Sequence, residues 1–551
     1  MPESEQMTDE PAREAVRREL DRTLFVEAGA GTGKTTELVN RVLALLESGR
    51  TEVTNIAAIT FTEAAAADLR SRIHAELVKR AASTDARWAR IALGGLDEAS
   101  MTTIHGFAQR ILSDHPLSAG LPLRFKVLDE IESQIEFERR FSGFIESLVG
   151  DDEGGELVAA ARAIGMTIDA LEALAFEVDE SWNRHRDFER SVPSIGELRA
   201  TVDATTREIT RAMIGVIGIR GGCDDSTDRL ASAIEGLEDS LSLQSAGDDW
   251  IDRLEWCCSI PKLNGGGNVG KKTAWKEGEI EQARARAQEF ERVRADGVAR
   301  LCGLVLEAVV ERLASEAERA AQARRRNGEL HFHDLLVFAR DLLMSDAVVR
   351  SIASERYHYI LVDEFQDTDP LQLEIVTLIA DDQATGVPVP GKLFFVGDPR
   401  QSIYRFRNAQ PEVYEAALAD LVPEGPQLLT RNFRSVPALI DFVNSVFSRM
   451  FTKEITHSRG PDYAPLEADR SDRVDDPVVV LGADAVHKLT AGERREREAA
   501  EIADLITRAV RDGWTVVIDG EERPATFGDI VILVTRRTGL AQLEAALDAH
   551  D

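Results

Sequence analysis

The chain has 551 residues, 43% of them hydrophobic and 29% charged, with a formal net charge of −32. That length exceeds a single hydrophobic core and implies about three domains, and the composition excludes a disordered or collagen-like chain. The acidic start MPESEQMTDEPAREAV is no secretory signal, no apolar run reaches membrane-spanning length, and Cys223, Cys257, Cys258 and Cys302 lack C-x-x-C spacing, which argues against a zinc or iron–sulfur site and for a reducing, cytoplasmic setting. A strongly acidic total disfavours a DNA binder, but screening confines a distant charge to about 8 Å at physiological salt, so local motifs decide.

Four short apolar runs, each followed by a polar turn or a helix start, read as buried parallel strands: Leu24–Glu27, Ile56–Phe61, Tyr359–Val362 and Leu393–Val396. The first leads into AGAGTGKTT, Ala28 to Thr36, and then the helical pattern ELVNRVLALLES. Strand, glycine-rich turn and helix are the context of a phosphate loop. Gly29, Gly31 and Gly33, with Ala28, Ala30 and Thr32 between them, let backbone N–H groups converge on phosphate oxygens at a helix N-terminus. Lys34 adds charge for the β- and γ-phosphates of ATP, Thr35 offers a hydroxyl to Mg²⁺, and Thr36 completes the loop. The second strand leads into FTEAAAADLRSRIHAEL, another helical pattern, so the alternation predicts an α/β doubly wound sheet.

From about Pro122 to Arg326 the pattern becomes Ala/Glu/Arg/Leu-rich with helical period and no strand candidate, which reads as an inserted helical domain. Within it, LNGGGNVGKKTAW (Leu263 to Trp275) nearly imitates a second phosphate loop, but Lys272 stands where Ser or Thr is required and no strand precedes it. A flexible loop is the plain reading; clustered Lys271, Lys272 and Lys276 leave open a DNA-contacting one. In HFHDLL, His331 and His333 are two residues apart and fall on different helix faces, which disfavours zinc. The strand Tyr359–Val362 then delivers Asp363 and Glu364 to the sheet's carboxyl edge, where Asp363 would hold Mg²⁺ and Glu364 would orient and deprotonate an attacking water.

After Pro426 a second α/β unit begins, with strands expected in PVVVLG, TVVID and DIVILVTRR, a hairpin turn at Asp519-Gly520, and the amphipathic helix GLAQLEAALDAH. The unit reads as incomplete, which implies exposed apolar surface near Leu540, Leu543 and Leu547.

The string DEFQDT, together with the phosphate loop and, in order, ITFTEAAAADLRSRI, TTIHGFAQRIL, VGDPRQSIYRFRNA and LLTRNFRS, resembles the UvrD/Rep-type superfamily 1 DNA helicases, within them the RecB/AddA-like branch. The resemblance covers about residues 20–130, 330–450 and, weakly, 525–550. It implies a RecA-like ATPase domain from 1–125 and 327–425, the helical insertion at 126–326, and the N-terminal part of a second RecA-like domain at 426–551.

The same resemblance implies that Gln401 senses the γ-phosphate, that Arg434 reaches it from the second α/β domain, and that Phe433 stacks on adenine. Phe61, Thr62, His105, Tyr404, Phe406 and Arg407 fall at DNA-contacting positions. Aromatic rings suit unspecific single-strand binding because every base has a π-face. Ala12 stands where these helicases read adenine with Gln, Ala64 where many carry Lys, and Phe406 where Trp is usual. The function implied is an ATP-dependent DNA helicase of repair or recombination with 3′-to-5′ polarity, acting on single strands, junctions or ends. The second reading is the motor of a helicase–nuclease that works with a partner subunit, and the third is a non-catalytic, ATP-gated DNA-binding module. Because no second transition-state arginine follows Arg434, slow turnover by this chain alone is expected.

Overall fold

The computed structural model describes every residue except 1–8, 84–85, 187–191, 245–248, 267–268, 383, 405–410, 452–462, 472–477, 483–488, 519–520 and 551. The four apolar runs become strands β1 (Leu24–Ala28), β2 (Ile56–Thr60), β4 (Tyr359–Val362) and β5 (Leu393–Gly397). They join β3 (Ser100–Thr103) and β6 (Gln427–Leu429) in a six-stranded sheet of order β6-β1-β5-β4-β2-β3. Polar Ser100, Thr102 and Thr103 hide β3 from a search for apolar runs, and β6 is only three residues long.

From β1 to β3 the sheet is parallel, with Leu24 opposite Phe394, Ile360 opposite Leu393, Ile59 opposite Val362 and Thr60 opposite Thr103. All five residues of β1, β2 and β5 are buried, as a sheet covered on both faces requires. Phe25, Phe365, Phe395 and Tyr414 pack as a ring cluster, with centroids 4.5–5.9 Å apart in the pairs that touch.

The chain divides into two units, one of Pro11–Glu27 and Lys34–Leu428, the other of Ala28–Gly33 and Leu429–Asp551 with residues 9–10. In the first, the stretch read as helical is helical. It holds Glu130–Gly150, Asp152–Ala163, Ile168–Asp179, Ile195–Ile217, Arg229–Gln244, Trp250–Ser259 and the 49-residue Glu279–Asn327. The long helix ends at Gly328 with φ 72°, a left-handed stop natural to glycine. Lys126 and Val127 pair with Glu329 and Leu330, so the two ends of the helical stretch lie side by side. Lys271 and Trp275 close on buried Asp228, which accepts from Lys271 N at 2.5 Å and Trp275 Nε1 at 3.2 Å. Lys271 and Lys272 face Asp225 and Glu281 at 3.4 and 3.3 Å, so neither presents isolated charge.

Where the long helix turns into Phe332–Ser345, a buried ionic knot forms. Asp334, fully buried, accepts from Arg324 Nε at 2.7 Å and Nη2 at 3.0 Å, from Trp182 Nε1 at 3.0 Å and from His331 N at 3.0 Å. Burial alone would push its carboxyl up; the Arg324 guanidinium outweighs burial and holds it below the usual range. The two histidines of HFHDLL part company here. His331 lies between Glu136 and Asp179, at 3.5 and 3.8 Å, while His333 meets Asn183 Oδ1 at 2.6 Å and is pushed by burial down to about 4.

In the second unit, Arg431–Asn432 pairs in parallel with Glu467–Ala468, and Asn444 ties the helix Pro437–Met450 to Leu466 through both its amide atoms. TVVID supplies a strand, Thr515–Ile518, paired antiparallel with Glu521–Pro524; Asp519 and Gly520 lie outside the described residues. The described parts of PVVVLG and DIVILVTRR form no ladder, and Val480 and Leu533 are 77% and 92% exposed. Apolar alternation is a strand signal only where a neighbouring strand receives its backbone groups. Leu540 is exposed as expected, but Leu543 is buried, contrary to expectation, because Leu540–Asp548 packs on the helix Ala491–Arg511; further exposed apolar surface sits at Val531, Leu533 and Val534.

Asp334→Ala should destabilise the first unit by roughly 3–5 kcal/mol, since it strands a buried guanidinium. Asp334→Asn, which keeps an acceptor, should cost less. Denaturant titration of the two variants checks the order; equal stability to the parent would discount the knot.

Candidate nucleotide site and its aromatic neighbours

Parallel strands leave the sheet in the same direction, so the motifs gather on its carboxyl edge. Asp363 and Glu364 follow β4, Asp398 to Gln401 follow β5, Phe61 follows β2, and His105 lies two residues past β3. Asp363 is fixed by its own N–H, which donates to Ile59 O at 2.8 Å. Its carboxyl is pushed up to about 6, first by desolvation and then by the neighbouring Glu364 charge, with Lys34 opposing. Asp367, on the same turn, is likewise raised to about 6 by burial and by Glu364.

Glu364 has φ 49° and ψ 45°, the one non-glycine residue with positive φ among those described. A left-handed glutamate costs of order 1–3 kcal/mol and persists only where its surroundings impose it. Here Lys34 Nζ donates to Glu364 Oε2 at 2.8 Å, and Gln366 Nε2 donates to the same oxygen at 2.7 Å. The lysine expected at phosphate and the carboxylate expected at water are thus in contact.

Gln401 Nε2 donates to Asp398 Oδ2 at 2.7 Å, and Arg400 Nε donates to Asp398 Oδ1 at 3.0 Å. The Arg400 guanidinium also pairs with buried Glu27 at the end of β1. Burial works against the Arg400 charge, but Glu27 and Asp398 outweigh it and raise its pKa.

Thr35 and Thr36 open the helix Lys34–Glu47. The loop before it, Ala28–Gly33, belongs to the second unit with Phe433 and Arg434. Gly31 and Gly33 have φ 77° and 91°, so any side chain there would be strained. A Cβ on Gly31 would meet Arg434 Cβ and Asn432 Nδ2 at 2.8 Å. Asn432 Nδ2 donates to Ala30 O at 2.6 Å, Phe433 N donates to Gly31 O at 2.9 Å, and Thr32 Oγ1 donates to Gly29 O at 2.8 Å. Phe433 is 42% exposed. The site residues fit a magnesium nucleotide: a carboxylate whose solvation is already poor, a lysine at the loop's end, and a hydroxyl beside it.

On the same edge Phe61 and Tyr404 are 4.5 Å apart between centroids, tilted by 33°. Thr62 is exposed, and its hydroxyl caps the helix Glu63–Ala81 by accepting from Ala65 N at 3.1 Å. His105 meets Phe332 edge-on at 5.7 Å. Phe332 is 55% exposed and was missed in sequence, because HFHDLL draws attention to its histidines. An aromatic on the first turn of a helix, before the buried run starts, is the signal that finds it. Phe406 and Arg407, with Arg405, lie outside the described residues.

If Asp363 holds Mg²⁺, as the motif implies, Mg-nucleotide affinity should weaken as pH falls through about 6, with proton release on binding near that pH. Asp363→Asn should abolish this dependence. Calorimetry in buffers of different ionisation enthalpy reads both; affinity that stays flat across this range would contradict the raised carboxyl.

The UvrD/REP helicase N-terminal domain family matches residues 8–421. Curated relatives include proteins whose name describes one subunit of an ATP-dependent helicase/nuclease. That of Pediococcus pentosaceus is 26% identical over 498 aligned positions, covering 81% of this chain and 39% of its own. That of Carboxydothermus hydrogenoformans is 27% identical, covering 93% and 46%, and that of Listeria monocytogenes 25%, covering 100% and 49%. The chain therefore spans less than half the length of these relatives. With the family matching most of its length, and the loop, acidic pair and carboxyl-edge arrangement in hand, the chain belongs to the UvrD/REP helicase N-terminal domain family.

Proposed function

We propose that this chain is the motor of an ATP-dependent DNA helicase or translocase of repair or recombination, moving 3′-to-5′ on single-stranded DNA. The observation that carries the reading is the contact of Lys34 with Glu364, beside Asp363 and on the same sheet edge as the Phe61–Tyr404 pair. Lys34 serves the β- and γ-phosphates of ATP, Thr35 and Asp363 hold Mg²⁺, and Glu364 takes the proton of the attacking water. Bound magnesium would neutralise phosphate charge there. Gln401 senses the γ-phosphate, and Arg434 and Phe433 keep the roles the resemblance implies. Phe61, Thr62, His105, Tyr404, Phe406 and Arg407 line the DNA path, joined by Phe332.

The relatives' name, which makes each of them one subunit of a helicase/nuclease, favours a second reading. In it this chain is the motor part of a helicase–nuclease that works at DNA ends with a partner subunit. No helix among the described residues is long and apolar enough to cross a membrane, and a cytoplasmic location suits both readings.

Lys34→Ala should lose Mg-ATP binding, whereas Glu364→Gln should bind ATP normally and hydrolyse it about 10²- to 10⁴-fold more slowly. Equilibrium nucleotide binding and steady-state hydrolysis with and without single-stranded DNA check this; unchanged ATP affinity in Lys34→Ala would sink the assignment. Phe61→Ala and Tyr404→Ala should each weaken oligo(dT) binding by roughly 1–3 kcal/mol, with little preference among bases. Parent-like affinity in the double variant would move the DNA path elsewhere.

A further inference from the structure

We propose that Gln366 is a positioning residue that aims Glu364 and links it to the loop carrying Gln401 and Tyr404. The inference rests on the motor reading above and adds to it a residue with no role there.

Gln366 is 3% exposed, yet both ends of its amide are engaged on the carboxyl edge. Its Oε1 accepts from Asp398 N at 2.8 Å. A backbone N–H can only donate, so the amide orientation is set by chemistry, and Nε2 must face the other way. It does, donating to Glu364 Oε2 at 2.7 Å. Its main-chain carbonyl oxygen accepts from Ser402 Oγ at 3.1 Å. One side chain therefore bridges the turn after β4 to the turn after β5, and its backbone holds the start of the segment that ends at Tyr404.

The packing around it is specific. A Cβ on Gly397 would meet Gln366 Oε1 at 2.6 Å and its backbone N at 3.3 Å, so the bridge needs glycine at the end of β5. Asp398, held through its N–H by Gln366, in turn accepts from Gln401 at 2.7 Å. The path runs from the Phe61–Tyr404 rings through Ser402 to Gln366 and so to Glu364, with a side branch to Gln401.

The physical effect is twofold. Glu364 is strained at positive φ, and its Oε2 is held by Lys34 and Gln366 together. When phosphate draws Lys34 away, Gln366 remains the donor that keeps the carboxylate pointed. A strand that displaces the Tyr404 segment would move Ser402, and with it the amide.

Two substitutions separate positioning from mere stitching. Gln366→Leu removes both limbs. Gln366→Glu keeps an acceptor for Asp398 N–H but replaces the donor to Glu364 with a second carboxylate. The second carboxylate would repel Glu364 where the amide held it, so the aim of Glu364 is lost while the limb to Asp398 is kept. A purely structural bridge would be rescued by Glu; a positioning one would not.

The test is ATP hydrolysis by the full chain, with and without oligo(dT), beside Mg-ATP affinity. Expected are affinities within about twofold of the parent and kcat lower by roughly 10- to 100-fold in both variants. The DNA stimulation ratio should collapse in both variants. Parent-like kcat and stimulation in both, or full rescue by Glu, would overturn the proposal. If the parent chain binds nucleotide without turnover, the readout becomes the factor by which a non-hydrolysable ATP analogue changes oligo(dT) affinity. Gln366→Leu should bring that factor to about one; an unchanged factor, or a parent factor already at one, would equally overturn it. Failure of the parent to bind ATP at all would instead strike the motor reading.

Discussion

Parallel alignment of buried strands is the constraint on which the rest depends. A ladder such as β4 against β5, with Leu361 opposite Phe394, commits both chains to leave the sheet on the same side. Repeated from β1 to β3, it collects turns that are more than 300 residues apart in sequence, as Lys34 and Glu364 are, at one edge. β1, β2 and β5 are buried along their whole length and β4 over its last three residues, so the turns that follow them stand on a rigid base. That rigidity lets Glu364 hold a backbone conformation that an isolated loop would relax.

The electrostatics of that edge explain how a chain of net charge −32 can be built to handle polyanions. Asp363, Glu364, Asp367 and Asp398 face Lys34, Arg400 and each other, with burial raising the first and third to about 6. Carboxylates so crowded have much to gain from a divalent cation, which a phosphate chain then shares. Bulk charge is screened within about 8 Å, whereas these groups interact at hydrogen-bond distance.

The helical stretch depends on a different device. Its two ends are clipped together at Lys126–Val127 and Glu329–Leu330, and Asp334 gathers Arg324, Trp182 and the His331 N–H just beyond. A buried carboxylate with several donors specifies one geometry, because displacing any donor leaves charge unsatisfied. The long helix Glu279–Asn327 thereby meets the helix Phe332–Ser345 at a defined angle rather than through a loose joint.

Legible from residue pattern were the strands whose apolar runs are continuous, the glycine-rich loop, the acidic pair, the helical character between 122 and 326, and the family. Each of these is a local signal: hydrophobic period, glycine spacing, or a motif string. Tertiary structure alone decided which polar runs become strands, since β3 is made from Ser100, Thr102 and Thr103 by its pairing with β2. It also decided that Val531 and Leu533, strand-like in pattern, stay exposed without a ladder, and that Leu543 is buried by a helix some 40 residues earlier. The strings that contain Gln366 and Arg400 give neither residue a part, and Phe332 is marked only by its place ahead of a buried helical run. Their parts arise from neighbours far away in the chain, Asp398, Glu27 and His105. Local periodicity fixes what a segment prefers, but hydrogen-bond satisfaction and burial are settled only by the segments that fold against it.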